Sequence, residues 1–320
     1  MPIPDLFRGR LTIPAICAPM FLVSGPKLIT SCCKSGVAAA FPSLNARPIE
    51  VLDEWLTQIS ADLGAFMAAH PDEPCAPYGV NLILHHSNPR TKQDFELVVR
   101  HRVPFVVTSL GHPGEVVKAV HDYGGVVFSD IIHAYHARKA IDAGVDGVIA
   151  VASGAGGHAG TQSAFSLVRE LREFWNGTLV LGGAVSDGFA VRAAEVLGAD
   201  LAYMGTRFIS TRESMAQDAF KQMIVNGTAK DIVYTDMISG TYANFLWPSL
   251  ERAGYTRDDL AAGRKAVHAF ADEAKAWRDI WSAGQGVAVI HDVPTVAELS
   301  TRLASEYRAA CALPASPALA

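Results

Sequence analysis

Short, continuously apolar runs alternate with longer amphipathic ones over the first two thirds of the chain. The short runs are Ile13–Ala18, Val37–Phe41, Gly79–Leu84, Phe105–Thr108, Val126–Ser129, Gly147–Val151, Leu179–Leu181 and Leu201–Met204, each bounded by Gly, Pro, Asn or Asp. Strands buried on both faces carry such runs, which is the pattern of a parallel sheet. Between them, Ile49–Ala69, Gln93–His101, Gly114–Tyr123, His133–Ala143, Ser166–Trp175 and Gly188–Leu197 set apolar residues at helical spacing among charges. Helix ends are marked as well. Ala-Gly-Val-Asp at 143–146 and Leu-Gly-Ala-Asp at 197–200 place a glycine past a helix and an aspartate before a strand, and Ser186 and Asp187 stand where an N-cap belongs. Eight strands, each followed by a helix, predict an α/β fold, a (β/α)8 TIM barrel. A doubly wound open sheet is the rival, but its first turn should carry a glycine fingerprint, and here that turn is Ala18-Pro19-Met20.

Past Phe208 the alternation stops. Only helical stretches follow, at Met215–Val225, Asp258–Ala271, Ala274–Trp281 and Thr295–Tyr307, before a tail of small residues and prolines at 312–320. The expected organisation is a barrel over residues 1–215 and a helical addition over residues 216–320, lying over or beside the barrel mouth.

Composition narrows the function classes. Half of the 320 residues are hydrophobic and 18% are charged, too apolar for a disordered chain. The net charge of −5 gives no electrostatic reason to bind nucleic acid. The five cysteines, Cys17, Cys32, Cys33, Cys75 and Cys311, form no CxxC pair and read as buried thiols in a reducing compartment. The opening MPIPDLFRGRLTIPAI lacks the unbroken apolar stretch of a signal peptide, and no apolar run approaches the roughly 20 residues of a membrane span. The expectation is a cytoplasmic protein without a membrane partner. Apolar helices in the addition are compatible with a homodimer.

In a barrel, chemistry sits at the carboxyl ends of the strands, and phosphates commonly bind after strands seven and eight. Those positions hold Leu181-Gly182-Gly183-Ala184 and Met204-Gly205-Thr206-Arg207-Phe208. Both are read as turns that bring backbone N–H groups to the start of a following helix, where an anion is favoured. After the sixth strand, Ser153-Gly-Ala-Gly-Gly-His-Ala-Gly160 surrounds His158 with four glycines. Glycine lets the backbone lie close to a flat ligand, and a histidine there can exchange protons near neutral pH. His133 and His136 are three apart on a helix but lack further ligands at matching spacing, so a solvated face is expected and no metal site. His85 and His86 end the third strand and are placed near the pocket without a metal pattern. A partial dinucleotide pattern at Gly154 and Gly156 follows the wrong strand and lacks the acidic residue for a ribose.

Together these segments resemble the nitronate monooxygenase family, formerly 2-nitropropane dioxygenases, which are flavoproteins on an FMN-binding TIM barrel. The resemblance rests on Ala18-Pro19-Met20, Gly79-Val-Asn-Leu82, Ala155-Gly-Gly-His-Ala-Gly160, Gly182-Gly183 and Tyr203-Met-Gly-Thr-Arg-Phe208. Ser239-Gly-Thr-Tyr-Ala-Asn-Phe245 and Trp277-Arg-Asp-Ile-Trp-Ser-Ala-Gly-Gln-Gly286 extend it to the carboxyl-terminal part. It implies FMN across the barrel mouth, with Ala18, Pro19 and Met20 along one side and Asn81 reaching it through its amide. Gly156 and Gly157 would run along the ring, while Gly182, Gly183, Gly205 and Thr206 would hold the phosphate. His158 matches the histidine that the family sets beside the flavin's reactive face. Some relatives carry a lysine at the end of strand five, where this chain has Asp130. That carboxylate is read as a group accepting from a ribityl hydroxyl or the pyrimidine N–H, or pairing with a cation.

The resemblance further implies oxidation of an alkyl nitronate, or a nitroalkane, with O2 to a carbonyl compound and nitrite. His158 would be the base for neutral nitroalkanes, and Tyr242, Asn244, Trp281 and Gln285 of the addition would close the pocket over the substrate. The alternative is an NAD(P)H-dependent FMN reductase of quinones or enoyl thioesters, which the same barrel and Gly-Gly-His segment also resemble. A catalytically silent flavin- or phosphate-binding protein is the third reading.

Overall fold

The computed structural model describes residues 3–238, 240–261 and 279–314. Eight parallel strands close a barrel: β1 (Ala15–Cys17), β2 (Ala38–Pro42), β3 (Tyr78–Ile83), β4 (Phe105–Ser109), β5 (Val126–Ile131) and β6 (Gly147–Val151) come first. After a two-residue strand outside the barrel, β7 (Gly157–His158), the ring continues with β8 (Thr178–Gly182) and β9 (Leu201–Met204). Ile16 lies opposite Ala38 of β2 on one side and Tyr203 of β9 on the other, which closes the ring. All eight expected runs are therefore barrel strands, in the expected order.

The helices up to the last barrel strand are α1 (Pro26–Lys34), α2 (Ile49–Ala69), α3 (Thr91–Arg100), α4 (Gly114–Asp122), α5 (Ala134–Asp142), α6 (Ala164–Arg172) and α7 (Gly188–Leu197). After the barrel come α8 (Thr206–Ile209), α9 (Asp218–Val225), β10 (Ile232–Thr235), β11 (Ala243–Leu246), α10 (Trp247–Arg252), α11 (Arg257–Ala261) and α12 (Val296–Cys311). No helix among the described residues is long and apolar enough to cross a membrane.

Alternation along each strand separates two cores. Residues facing outward pack against the helices, as Val80, Val106, Val127 and Val148 do. The inward set, including Ile16, Ala38, Phe105, Val107, Phe128, Ile149, Val180 and Leu201, fills the barrel. Phe7 joins this inner cluster, with its ring 5.5 Å from Phe105 and 5.8 Å from Phe128. A Cβ at Gly147 would lie 2.7 Å from the Phe128 ring, so glycine at that inward position makes room for phenylalanine on the next strand. The aspartates before strands have a specific task. Asp146 accepts from Val127 N at 2.7 Å and Asp200 from Leu179 N at 2.8 Å, so each satisfies the N–H of the second residue of the preceding barrel strand.

Several details depart from the sequence expectation. The helix α1, between the first two strands, carries β-branched Ile29 and Thr30 and paired Cys32 and Cys33 where good helix formers would be expected. Those two cysteines, with Cys17 and Cys75, are buried as expected, but Cys311 on α12 is exposed. His133 is not on a helix face. It is the N-cap of α5, its ring accepting from His136 N.

The segment after the barrel is not helical throughout. β10 and β11 pair antiparallel, and β11 pairs with β7, making a three-stranded sheet over the barrel mouth. Period alone does not reveal these strands, because each spans only four residues and their pairing partner, β7, is part of a glycine loop. Helix α12 packs on α7 and α1 in the outer ring. Glu306 Oε2 accepts from Gly188 N at 2.9 Å and the Tyr307 hydroxyl donates to Glu195 at 2.8 Å across that contact. Most of the helices expected over Asp258–Ala271 and Ala274–Trp281, together with Ser239, Trp277, Arg278 and the end of the tail, lies outside the described residues.

Candidate active site

The carboxyl ends of the barrel strands open into a cavity of about 1120 Å³. Ligand pockets usually run to about 300–1,000 Å³, so this one has room for a cofactor and a second molecule. Its floor comes from inward-facing positions near the carboxyl ends of the strands. Asn81, Ser109 and Asp130 hold consecutive places at the ends of β3, β4 and β5, facing Ala18, Gly182 and Tyr203 of the remaining wall. Asn81 Nδ2 donates to Val107 O at 3.2 Å and to Ser109 Oγ at 2.8 Å, and Ser109 Oγ donates to Asp130 Oδ2 at 2.6 Å. Both amide protons of Asn81 are thus engaged within the protein, which leaves its carbonyl oxygen to meet a ligand. Burial pushes the Asp130 carboxyl up to about 6, against the lowering effect of the Ser109 hydrogen bond. Asp130 Oδ1 and the Tyr203 hydroxyl are buried with no protein partner.

One wall is the Ala18-Pro19-Met20 turn. Ala18 N donates to Met204 O at 3.0 Å, and Met20 O accepts from Asn45 Nδ2 at 2.9 Å, so the segment is tied to β9 and to the turn before α2. Opposite it runs the glycine loop, with Gly154 and Gly157 at positive φ of 87° and 70°. A Cβ at Gly156 would lie 2.9 Å from Gly284 N, so only glycine admits the 283–284 backbone there.

The late segments fasten this loop at four points. Gln285 N donates to Gly154 O at 2.8 Å, Asn244 Nδ2 to Ala155 O at 2.7 Å, and Tyr234 OH to Ala159 O at 3.0 Å, while Ala243 pairs with His158 in the small sheet. His158 therefore rides on a strand rather than on a free loop. Its ring is open to the cavity but walled by protein, and that burial lowers its pKa below the usual imidazole value. Near pH 7 it is neutral and able to take a proton.

The two glycine turns differ from the expectation in one respect. Helix α7 does not offer its N-terminus to the cavity, because Asp187 caps it at Ala190 N (2.7 Å) and Glu306 takes Gly188 N. The seventh-strand turn instead presents loop backbone, with Gly183 at φ 134° and Ala184 at φ 56°. After the eighth strand, Gly205 does open a helix, and Thr206 Oγ1 accepts from Gly284 N at 2.9 Å. A Cβ at Gly182 or Gly205 would meet nothing closer than 3.5 and 3.8 Å, so packing alone does not require glycine at either place. What the missing Cβ atoms leave is backbone open to the cavity. With the unpartnered Asp130 and Tyr203 atoms, that cradle fits a flat group carrying a phosphate.

Of the four residues expected to close the pocket, two line it. Tyr242 stands at the mouth, 53% exposed and stacked on Tyr234 at 5.0 Å. Trp281 is a buried wall, stacked on Phe220 with the Arg252 guanidinium 3.7 Å over its ring. Asn244 and Gln285 do not line the cavity; both work behind the glycine loop. His85 and His86 stack on one another outside it. Sequence reasoning missed Ser109, Tyr203, Arg47, His112, His136 and Lys139, all of which line the cavity. Ser109 was accessible from alternation, being the next inward residue after Val107 on β4, in register with Ile83 of β3. Among the described residues no group of three or more His, Cys, Asp or Glu side chains is arranged to hold a metal.

Comparison with known proteins places this geometry. The family model described as nitronate monooxygenase matches residues 43–306. A relative from Rhodococcus jostii, named "(3aS,4S,5R,7aS)-5-hydroxy-7a-methyl-1-oxo-octahydro-1H-indene-4-carboxyl-CoA dehydrogenase", is 26% identical over 79% of this chain and 69% of its own. A "Probable nitronate monooxygenase" from Staphylococcus haemolyticus is 30% identical over 48% of this chain and 46% of its own, so that match spans about half of either protein. Among solved structures, a nitroalkane oxidase from Streptomyces ansochromogenes superposes with a TM-score of 0.79 at 21% identity, covering 96% of this chain and 99% of that one. FabK from Thermotoga maritima gives 0.78 at 23% identity, covering 96% of each chain. At these identities the two structures bear on the fold.

Proposed function

The chain belongs to the nitronate monooxygenase family, and on that premise we propose that this flavin-dependent oxidoreductase binds FMN across the barrel mouth and oxidises alkyl nitronates with O2. The cradle of Gly182, Gly183, Gly205 and Thr206 would hold the phosphate, and the Ala18–Met20 turn and the glycine loop would clasp the ring from its two sides. When bound, FMN supplies the redox chemistry, accepting an electron from the nitronate and passing it to O2, so that a carbonyl compound and nitrite result.

The observation that carries the reading is His158: an imidazole fixed on a strand, open to the cavity, with its pKa lowered by burial. For a neutral nitroalkane it removes the acidic α-proton. For a preformed nitronate it orients the anionic oxygens. Tyr242 and Trp281 limit water at the substrate side. The test is to replace His158 by alanine and assay both substrate forms. Oxygen uptake with neutral nitroalkanes should fall by about 10²–10⁴-fold, the usual worth of a positioned base, while preformed nitronates keep a larger share of their rate. Equal and full activity on both would end the assignment.

A second reading, a reductase acting on thioesters, draws on the name of the Rhodococcus relative and on Arg47 and Lys139 at the cavity lining, where cations suit a phosphorylated carrier. Anaerobic mixing with NADH or NADPH separates the two. Rapid bleaching of the flavin supports the reductase; a flavin that stays oxidised until a nitronate is added supports nitronate oxidation.

A further inference from the structure

We propose that Asp130 is a neutral hydrogen-bond donor to the bound flavin, its proton carried on Oδ1 and kept there by a one-way relay from Asn81 through Ser109. The proposal rests on the reading that a flavin occupies the cavity. The direction of the relay follows from the donor inventory. An amide nitrogen can only donate, so Asn81 Nδ2 at 2.8 Å makes Ser109 Oγ an acceptor and turns the Ser109 proton toward Asp130 Oδ2 at 2.6 Å. Oδ2 is therefore committed as an acceptor, and a proton on this carboxyl has only Oδ1 to occupy. Oδ1 is buried without a protein partner, and so is the Tyr203 hydroxyl on the facing wall, close enough for Asp130 to perturb it. Two residues of one cavity lining each bury an unpartnered polar atom, which a bound ligand would satisfy.

Among the described residues no cation stabilises the charged form. From β3 and β4 Asp130 is faced by Asn81 and Ser109, from β6 by Val151, and across the barrel by Tyr203 with Cys17 beside it. Lys139 and His136 of α5 belong to the exposed part of the lining with His158, and burial, not any of these charges, dominates the carboxyl. Burial within the protein already raises its pKa to about 6. A flat ring laid over this partly exposed residue removes its remaining water and raises it further, which favours the acid form. A neutral acid can then donate to a ring that gains negative charge on reduction, where an ionised carboxylate would repel it.

The test is proton linkage of FMN binding to the apoprotein. Because binding raises the Asp130 pKa, the wild type takes up protons as FMN binds above pH 6, and its Kd weakens by up to about tenfold per pH unit until the pKa of the complex is passed. Asp130→Asn puts an amide donor where Oδ1–H stands. It should hold FMN at low pH within about threefold of wild type, lose the extra proton uptake, and bind with a flatter pH profile. Asp130→Leu, which cannot donate, should bind oxidised FMN at least about tenfold more weakly, the scale of a lost hydrogen bond in a buried site. Calorimetry in buffers of different ionisation enthalpy reads the proton count directly, and comparison with Asp130→Asn cancels the phosphate and His158 contributions. Equal proton uptake in wild type and Asp130→Asn, or equal FMN affinity in Asp130→Asn and Asp130→Leu, would overturn the proposal. Failure of all three proteins to bind FMN would instead defeat the flavin reading beneath it.

Discussion

Replacing Asn244 by leucine separates a residue that touches substrate from one that holds the loop behind it. Asn244 is 3% exposed, and its amide donates to Ala155 O at 2.7 Å across the back of the glycine loop. Leucine removes the donor at similar volume and leaves a carbonyl without its partner, a loss of about 1–3 kcal/mol. Spread over the unfolding entropy of a chain this size, that lowers Tm by about 2–5 °C. The loop also carries Gly156, Gly157 and, at its end, His158, so on the proposed reading loosening it should weaken FMN binding and slow proton removal together. Thermal unfolding of the apoprotein, FMN titration and kcat/KM on neutral nitroalkane against preformed nitronate make the assay. The expected pattern is a lower Tm, weaker FMN binding and a loss in kcat/KM that is larger for the neutral substrate. A variant with unchanged Tm and unchanged FMN affinity, but a raised KM for every substrate, would refute this and restore Asn244 as a direct substrate contact.

Three further outcomes follow from particular contacts. The rate with neutral nitroalkanes should fall as pH drops, through a value below the usual imidazole pKa near 6.5, because burial lowers the pKa of His158 and only its neutral form accepts a proton; a pH–rate profile turning over above that value would contradict it. Gly182→Ala should leave the apoprotein's Tm within about 1 °C, since the added Cβ meets only ordinary contacts at 3.5 Å, and yet weaken FMN binding by about tenfold or more through intrusion on the phosphate cradle; thermal unfolding beside FMN titration checks both halves. Asp292→Ala should destabilise the protein by about 2–4 kcal/mol by denaturant unfolding, because it strips the carboxylate 3.0 Å from the buried Arg207 guanidinium, which already has an unpartnered Nε.

Much of the barrel and its mouth is legible in the amino-acid sequence. Barrel strands buried on both faces write themselves as apolar runs, and the places after the seventh and eighth strands follow from counting those runs, so Gly182, Gly183, Gly205 and Thr206 can be found by position. His158 stands out because four glycines surround it in a single loop. What fails is whatever depends on pairing between distant segments. Ala243–Leu246 is too short to register as a strand by period, and it exists because it pairs with Gly157–His158. Asn244 and Gln285 are expected to close the pocket over the substrate only because the family resemblance implies it. Which side of the glycine loop they occupy is decided by that pairing and by the 283–285 backbone. Asp130 is visible as a residue type, but its unpartnered oxygen depends on Ser109, whose role only the barrel's layering makes plain.

The visible spectrum of the purified protein is the most direct measurement. Flavin absorption bands, with FMN released on denaturation at close to one per chain, are the predicted result. A colourless protein that binds no FMN on titration would contradict it, and with it the roles of the glycine cradle, His158 and Asp130 as flavin-binding and proton-handling groups.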